Sequence, residues 1–156
     1  MKWPAKLVGG QTYDAPVHGF DFFSTAAAAA GATPPTDRKI DGVDLVAHVN
    51  GDVSGVPHQE LFWRSGVAQS ARVGDWKLNI SPGKVWLYDL AADPEERTNL
   101  AKTRPDKLAE LQTALERHNA EQAKPLWPSV LTANINLDRD ESVPAEPGDE
   151  FSEWSN

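Results

Sequence analysis

Residues that could act as bases, nucleophiles or metal ligands are sparse and scattered in this sequence. The four histidines are His18, His48, His58 and His118, and none has a second histidine or a carboxylate at the spacing of a metal site. We therefore expect each histidine to be structural or exposed. The chain has no cysteine, which excludes disulfides, thiolate metal sites and a cysteine nucleophile.

Carboxylates occur in three groups that could, by type alone, bind a hard cation. These are Asp41 with Asp44, Asp93 with Glu95 and Glu96, and the acidic residues from 138 onward. The first two groups are typical of turns and helix starts, and the third is typical of a solvated surface. The sequence therefore predicts no catalytic residue and no metal ligand in this chain.

Cations and aromatic residues give the only candidate binding positions. Arg64, Arg72 and Lys77 lie on neighbouring predicted strands and could bind an anion, although alternate strand positions often place such groups in water. Trp63 beside Arg64 is a candidate for the rim of a substrate site, because an indole can stack on a sugar ring. Packing in the core is the alternative role for a tryptophan at strand spacing.

Composition and charge narrow the class of protein. The hydrophobic content of 40% and the six tryptophans favour a folded chain of 156 residues. The net charge of −8 comes mostly from the C-terminal end, and no run of Lys or Arg is present. We therefore expect no nucleic-acid partner and no membrane association.

The order of predicted elements indicates an α+β fold. A short Ala-rich helix is predicted over Asp21 to Ala30, followed by a connecting stretch rich in Pro, Gly and Asp from 33 to 59. Three apolar or alternating runs, residues 60–64, 70–80 and 85–90, predict antiparallel strands joined as a meander. A helix from about Thr103 to Glu121 is predicted to cover this small sheet, with Thr103 and Asp106 forming a capping box.

Several local motifs resemble those of one enzyme family, in the same order. In the first third, Trp3-Pro4-Ala5 resembles a W-P-G strand end and Asp21 to Thr25 resembles a D-x-x-P-T helix start, with Ser24 in place of Pro. Ala30-Gly31 and Asp41 to Leu45 resemble the A-G helix end and the D-G-x-S/D-L segment that follow. The later matches are Leu61 to Arg64, Ala71 to Leu78 (A-V-R-x-G-D-W-K-L), Leu87 to Leu90 (L-Y-D-L), Asp93 to Glu96 (D-P-x-E) and Asn99 to Ala101 (N-L-A).

These motifs are similar to the C-terminal portion of a type I sulfatase, an arylsulfatase-like hydrolase of the alkaline phosphatase superfamily. The resemblance implies an α/β catalytic domain, a formylglycine made within C/S-x-P-S-R and a bound calcium ion in the full-length family. This chain contains no such motif. We therefore expect this chain to be a sulfatase fragment that is inactive without the missing N-terminal domain. That domain is its expected partner, and a sulfated ester is expected to bind only to the complete enzyme.

The resemblance also implies a division of the chain. Residues 1–32 correspond to a strand-helix remnant of the α/β domain, 33–59 to a connecting segment, 60–124 to the C-terminal subdomain and 125–156 to an acidic extension. Two alternatives stay open: a non-catalytic binding or accessory module, and the end of a related phosphonate or phosphate monoester hydrolase. The family is often periplasmic, secreted or lysosomal, and this chain shows no signal for any of these.

Overall fold

The computed structural model describes residues 1–124, 126–127, 136–140 and 142–154. The chain divides into two compact units, Met1–Gln59 (unit 1) and Glu60–Asn156 (unit 2). The sequence also alternates apolar and polar residues from Val130 to Leu137, and this stretch lies mostly outside the described residues.

Unit 1 contains two short helices that pack on each other, α1 (Asp21–Ala29) and α2 (Leu45–Asn50). Helix α1 confirms the predicted Ala-rich helix. Helix α2 was not predicted, because it falls within the stretch rich in Pro, Gly and Asp. It begins where the Asp44 carboxylate accepts a hydrogen bond of 2.9 Å from the amide of Val46, which satisfies one free N–H of the first turn.

Unit 2 is built on an antiparallel sheet of four strands in the order β1-β2-β3-β4. The strands are β1 (Glu60–Ser65), β2 (Ala68–Val73), β3 (Trp76–Ser81) and β4 (Lys84–Asp89). The predicted run 70–80 is therefore two strands, not one. Gly74 has a φ of 57°, a left-handed conformation that glycine adopts without a steric cost, and it forms the turn that separates them.

Helix α3 (Pro105–Ala120) covers one face of the sheet, as predicted. The core between them consists of Ala71, Leu78, Leu87, Leu111 and Leu115. The small antiparallel sheet with a covering helix confirms the α+β prediction. The predicted capping box is wrong, however: the N-cap is Arg104 with no side-chain cap, and the Thr103 hydroxyl instead donates to the carbonyl of Leu100.

Part of the second face of the sheet packs against residues 136–140 and 142–154, which we call the C-terminal cover. The cover contains two short paired strands, β5 (Asn136–Asp138) and β6 (Ser152–Trp154), and β6 lies against β3. Ser152 and Tyr88 are fully or almost fully buried at this contact. The acidic end of the chain is thus not a wholly solvated surface, as its composition suggested, but partly packs on the sheet.

Candidate functional site

The most buried polar centre of unit 1 is the carboxylate of Asp21, the first residue of α1. Both of its oxygens lie 2.9 Å from Nε2 of His58. The backbone amides of His18 and Val43 also donate to it, at 2.7 and 3.0 Å. Burial by itself would raise the pKa of Asp21, but these three donors hold the pKa below the ordinary value of 3.8.

Two of the sequence motifs meet beside Asp21. The hydroxyl of Ser24 donates to the carbonyl of Gly42 at 2.7 Å, and Oγ1 of Thr25 accepts from the amide of Leu45 at 3.0 Å. A Cβ at Gly42 would lie 2.5 Å from the carbonyl oxygen of Phe20, so only glycine fits there. The residues shared with the D-x-x-P-T and D-G-x-S/D-L motifs therefore join α1 to the start of α2.

The chemistry of this centre is that of a cross-link. Asp21 ties three separate segments together, and its carboxylate has no exposed surface through which a substrate could reach it. A general base must come within hydrogen-bond reach of the substrate proton, which such burial prevents. The sequence analysis missed the pair because His58 is 37 residues away from Asp21. The one signal that pointed to it was the position of Asp21 at the start of a motif.

A second group of ionisable residues in unit 2 lies between the sheet and the C-terminal cover. Nζ of Lys77 is 2.6 Å from Glu96 and 3.5 Å from Asp138 of the cover. Burial raises the pKa of Glu96 above its ordinary value of 4.5, although Lys77 opposes the change. Burial likewise raises the pKa of Tyr88, whose hydroxyl donates to the carbonyl of Glu150 at 2.6 Å.

The candidate rim residues Trp63 and Arg64 both line a cavity of about 220 Å³ beside the last turn of α3. Trp63 is 39% exposed. The ring of His118, from the same cavity, stacks on Phe62 with centroids 4.2 Å apart. This cavity is small, and its shape alone does not identify a ligand.

The three cations considered as an anion site are not brought together. Arg72 and Lys77 pair directly across β2 and β3. Arg64 falls on the opposite face, since it shares the side of Phe62, which packs on the core. Lys77 already binds Glu96, and Nε of Arg72 donates to the carbonyl of Gly74 at 2.8 Å. The three residues therefore do not form one site.

No group of three or more His, Asp or Glu side chains that could hold a metal ion occurs in the described part of the chain. These residues therefore do not fit the calcium ion that the resemblance implies for the complete enzyme. Within the same residues, no helix has the length and apolarity needed to cross a membrane.

Comparisons with known proteins show which proteins this chain is similar to. No protein-family model matches the chain. Over 62 residues it is 44% identical to steryl-sulfatase of Rattus norvegicus, a match that covers 40% of this chain and 11% of that protein. It is also 33% identical over 79 residues to N-acetylgalactosamine-6-sulfatase of Sus scrofa, covering 50% of this chain and 15% of that protein.

Among solved structures, the crystal structure of Ps i-CgsB is similar with a TM-score of 0.67 and 20% identity. The match covers 81% of this chain and 29% of that one. The unmatched part of this chain is shorter than unit 1, so the match includes residues of both units. The predicted resemblance to sulfatases is thus confirmed. The chain is similar to a portion of a sulfatase and spans only about a tenth to a seventh of the length of the rat and pig enzymes.

Proposed function

We propose that this chain is a non-catalytic C-terminal portion of a sulfatase, a sulfuric ester hydrolase, and that hydrolysis requires an α/β domain carrying the nucleophile and calcium. The observation that carries the proposal is the partial match to sulfatases, which covers half of this chain or less but only 11% to 15% of the relatives. The motif residues support it, because their contacts are those of a scaffold.

The contacts of unit 2 agree with a scaffold function. Lys77 of the G-D-W-K-L motif binds Glu96 of the D-P-x-E motif. Asn99 of the N-L-A motif bridges to β4, since its side chain accepts from the amide of Leu87 and donates to the carbonyl of Val85, both at 3.1 Å. Such residues position strands and loops, and none of the side chains in these contacts is a free nucleophile.

The exposed apolar residues of unit 1 support the proposal that the first segment of the chain belongs with a further domain. The buried side chains of α1 are the polar Asp21, Ser24 and Thr25, whereas Phe22 and Phe23 are 69% and 55% exposed. A helix that buries its polar side and exposes aromatic rings is typical of an element that contacts a further surface. We propose that residues 1–32 pack on the α/β domain. We propose further that residues 33–59 connect this segment to a C-terminal subdomain, residues 60–124, which precedes the acidic extension.

We further propose Trp63 and Arg64 as a rim for a sulfated ester in the complete enzyme. Both line the same cavity beside α3, and Arg64 supplies a charge that could bind the sulfate. The exposure of Trp63 equally favours the accessory-module function, in which the sheet binds a saccharide without hydrolysing it. Turnover by an assembled enzyme distinguishes the two.

The first experiment measures hydrolysis of 4-methylumbelliferyl sulfate by the purified chain with 5 mM calcium, against a heat-denatured sample. We expect equal rates. A ligand that binds only the folded state at 100 times its dissociation constant adds about 2.7 kcal/mol to stability, so the melting temperature in calcium is the second readout. Turnover or a saturable thermal shift with calcium would contradict the proposal.

The second experiment tests the positive half of the proposal with a chimera. The matched 62 residues of rat steryl-sulfatase are replaced by the corresponding residues of this chain. We expect the chimera to fold and to hydrolyse a steryl sulfate. A control chimera carries aspartate in place of a core leucine of the exchanged segment, which places a charge in the core and should abolish activity. Loss of activity in the first chimera, with an intact fold, would count against a sulfatase function for this region.

A further inference from the structure

Lys77 on β3 is shared between two carboxylates from different parts of the chain. Its Nζ lies 2.6 Å from Glu96, which ends the turn of residues 93–96, and 3.5 Å from Asp138 of the C-terminal cover. The side chains of Lys77 and Glu96 are both largely buried, so water screens their attraction only in part. One ammonium group therefore attracts both the turn and the cover.

Arg97, directly after the turn, is shared in the same way. Its Nε lies 2.6 Å from Glu95 of the turn, and its Nη1 lies 2.8 Å from Asp149 of the cover. The backbone of Arg97 also holds the cover, because its carbonyl accepts a hydrogen bond of 2.8 Å from the amide of Glu150. The turn and the cover therefore contact the same two cations.

The backbone of the turn has an unfavourable conformation at Glu96. Its φ is 57°, in the left-handed region, and no other non-glycine residue in the described part of the chain has a positive φ. A β-carbon disfavours this region, so surrounding contacts must hold Glu96 there. Its amide donates to the carbonyl of Asp93 at 3.2 Å, and its carboxylate accepts two hydrogen bonds from Lys77. The charge of Glu96 thus holds Lys77 at the turn.

Within the described residues, the ionisable groups that act on Glu96 come from three elements and from its own turn. Lys77 faces it from β3, Tyr88 from β4, Asp138 from the cover and Asp93 from the turn. Burial and the two aspartates raise the pKa of Glu96, whereas Lys77 lowers it. Glu96 therefore binds a proton at a higher pH than an exposed glutamate does, and Lys77 then keeps Asp138 as its charged partner.

The cover occupies hydrogen-bonding groups of the sheet. Asn79 donates to Ser152 at 2.8 Å, and the hydroxyl of Tyr88 donates to the carbonyl of Glu150 at 2.6 Å. Asn79 and Tyr88 are both buried. A tighter attachment of the cover therefore keeps these polar groups from any other partner.

We propose that the turn and the cover compete for Lys77 and Arg97, so that neutralising a carboxylate of the turn tightens the attachment of the cover to the sheet. Protonation of Glu96 is the natural input, because it releases Lys77 to Asp138. Mild acid therefore strengthens this contact until the carboxylates of the cover are themselves protonated. The sign is opposite to that of ordinary surface ion pairs, which weaken as the pH falls.

The test is hydrogen exchange of the full chain at pH 7, measured at the amide of Glu150, whose bond to Arg97 requires an attached cover. Glu96→Gln removes the charge and keeps the length of the side chain. We expect it to slow exchange at Glu150 about fivefold, the upper range of one partly exposed ion pair. Glu95→Gln frees Arg97 at a more exposed position and should also slow exchange. Glu116→Gln on α3 makes the same change in net charge and should have no effect.

Asp138→Asn separates competition for Lys77 from a general effect of charge. This variant should speed exchange at Glu150, and Glu96→Gln/Asp138→Asn should lose the slowing that Glu96→Gln produces alone. At about pH 5, after correction for the intrinsic pH dependence of exchange, the wild type should exchange more slowly than at pH 7, and Glu96→Gln should show no such change. The amide of Leu100, which donates to the carbonyl of Leu87 at 2.7 Å, is the control for an intact fold.

Three outcomes would overturn the inference. The first is unchanged or faster exchange at Glu150 in both Glu96→Gln and Glu95→Gln. The second is equal slowing in Glu116→Gln, which would make the effect one of net charge. The third is slowing that persists in the double variant with Asp138→Asn. If Glu96→Gln loses protection at Leu100, Glu95→Gln decides alone. Because no turnover is measured, these results are independent of whether the chain belongs to an active sulfatase.

Discussion

Both carboxylate oxygens of Asp21 lie 2.9 Å from Nε2 of His58, although 37 residues separate the two in sequence. This contact and the amides of His18 and Val43 give one buried carboxylate donors from three segments of unit 1. A buried charge is tolerated only when it is paired and hydrogen-bonded in this way. The stability of unit 1 therefore depends on Asp21 more than its short helices would suggest.

Replacing Asp21 by Asn is expected to destabilise the chain by about 3 kcal/mol, because it removes the charge that the buried donors require. Urea denaturation followed by circular dichroism measures this change. The control is Asp37→Asn, an exposed carboxylate that pairs with its neighbour Arg38 and should leave the midpoint unchanged when replaced. Equal midpoints for the two variants would show that the Asp21 contacts contribute nothing.

The low pKa of Asp21 predicts the sign of an acid effect. Because its folded-state pKa is below 3.8, the folded state stabilises the ionised form. That stability is complete above the unfolded-state pKa and is lost as the pH falls through the folded-state value. We expect denaturation midpoints to drop as the pH falls below about 4, and the part of the drop due to this group to vanish in Asp21→Asn. A variant whose profile matched the wild type would refute this assignment.

The effect of pH on stability has the opposite sign at Glu96, because burial raises the pKa of this carboxyl group. The stability contributed by its protonated form is complete below the unfolded-state pKa of about 4.5 and is lost as the pH rises above that value through the higher folded-state pKa, and Lys77 offsets part of this loss. Lys77→Met should therefore destabilise the chain by about 3 kcal/mol at pH 7 and by less at pH 4. The double variant Lys77→Met/Glu96→Gln should recover most of the loss. If the double variant were no more stable than the single one, the carboxylate would not be the cause.

Leu111 is fully buried in the core of unit 2, whereas Leu126 is 88% exposed. Leu111→Ala is expected to cost about 2–5 kcal/mol, since it removes apolar contacts and leaves a cavity. The same substitution at Leu126 is the matched control and should not shift the denaturation midpoint. A small effect at Leu111 would mean that α3 does not pack on the sheet in solution.

Gly42→Ala is expected to destabilise unit 1 by about 1–3 kcal/mol, because the new Cβ would lie 2.5 Å from the backbone of Phe20. Hydrogen exchange of the Leu45 amide, which donates to Thr25, reports this region directly. Gly19→Ala is the control, since nothing lies within 4 Å of a Cβ at that position. Unchanged protection at Leu45 in the Gly42 variant would contradict the close approach.

Local order of residues was enough to predict the elements that carry most of unit 2. Alternating strands at 60–90 and the Leu spacing of α3 follow from the periods of strands and helices, and the structure confirms the antiparallel sheet and its covering helix. The motif order was also enough to indicate the sulfatase resemblance, which the comparisons confirm. Each of these signals spans a few neighbouring residues and needs no knowledge of distant contacts.

Tertiary structure alone decided which distant residues meet. No periodic signal in the sequence links Asp21 to His58 or Lys77 to Glu96. The same is true of the burial of Ser152 on the sheet. The same holds for the separation of Arg64 from Arg72 and Lys77, because the face of a strand residue depends on register and not on its type. Sequence determined the elements through local periodicity, whereas charge pairing was determined by the long-range packing that brings those elements together.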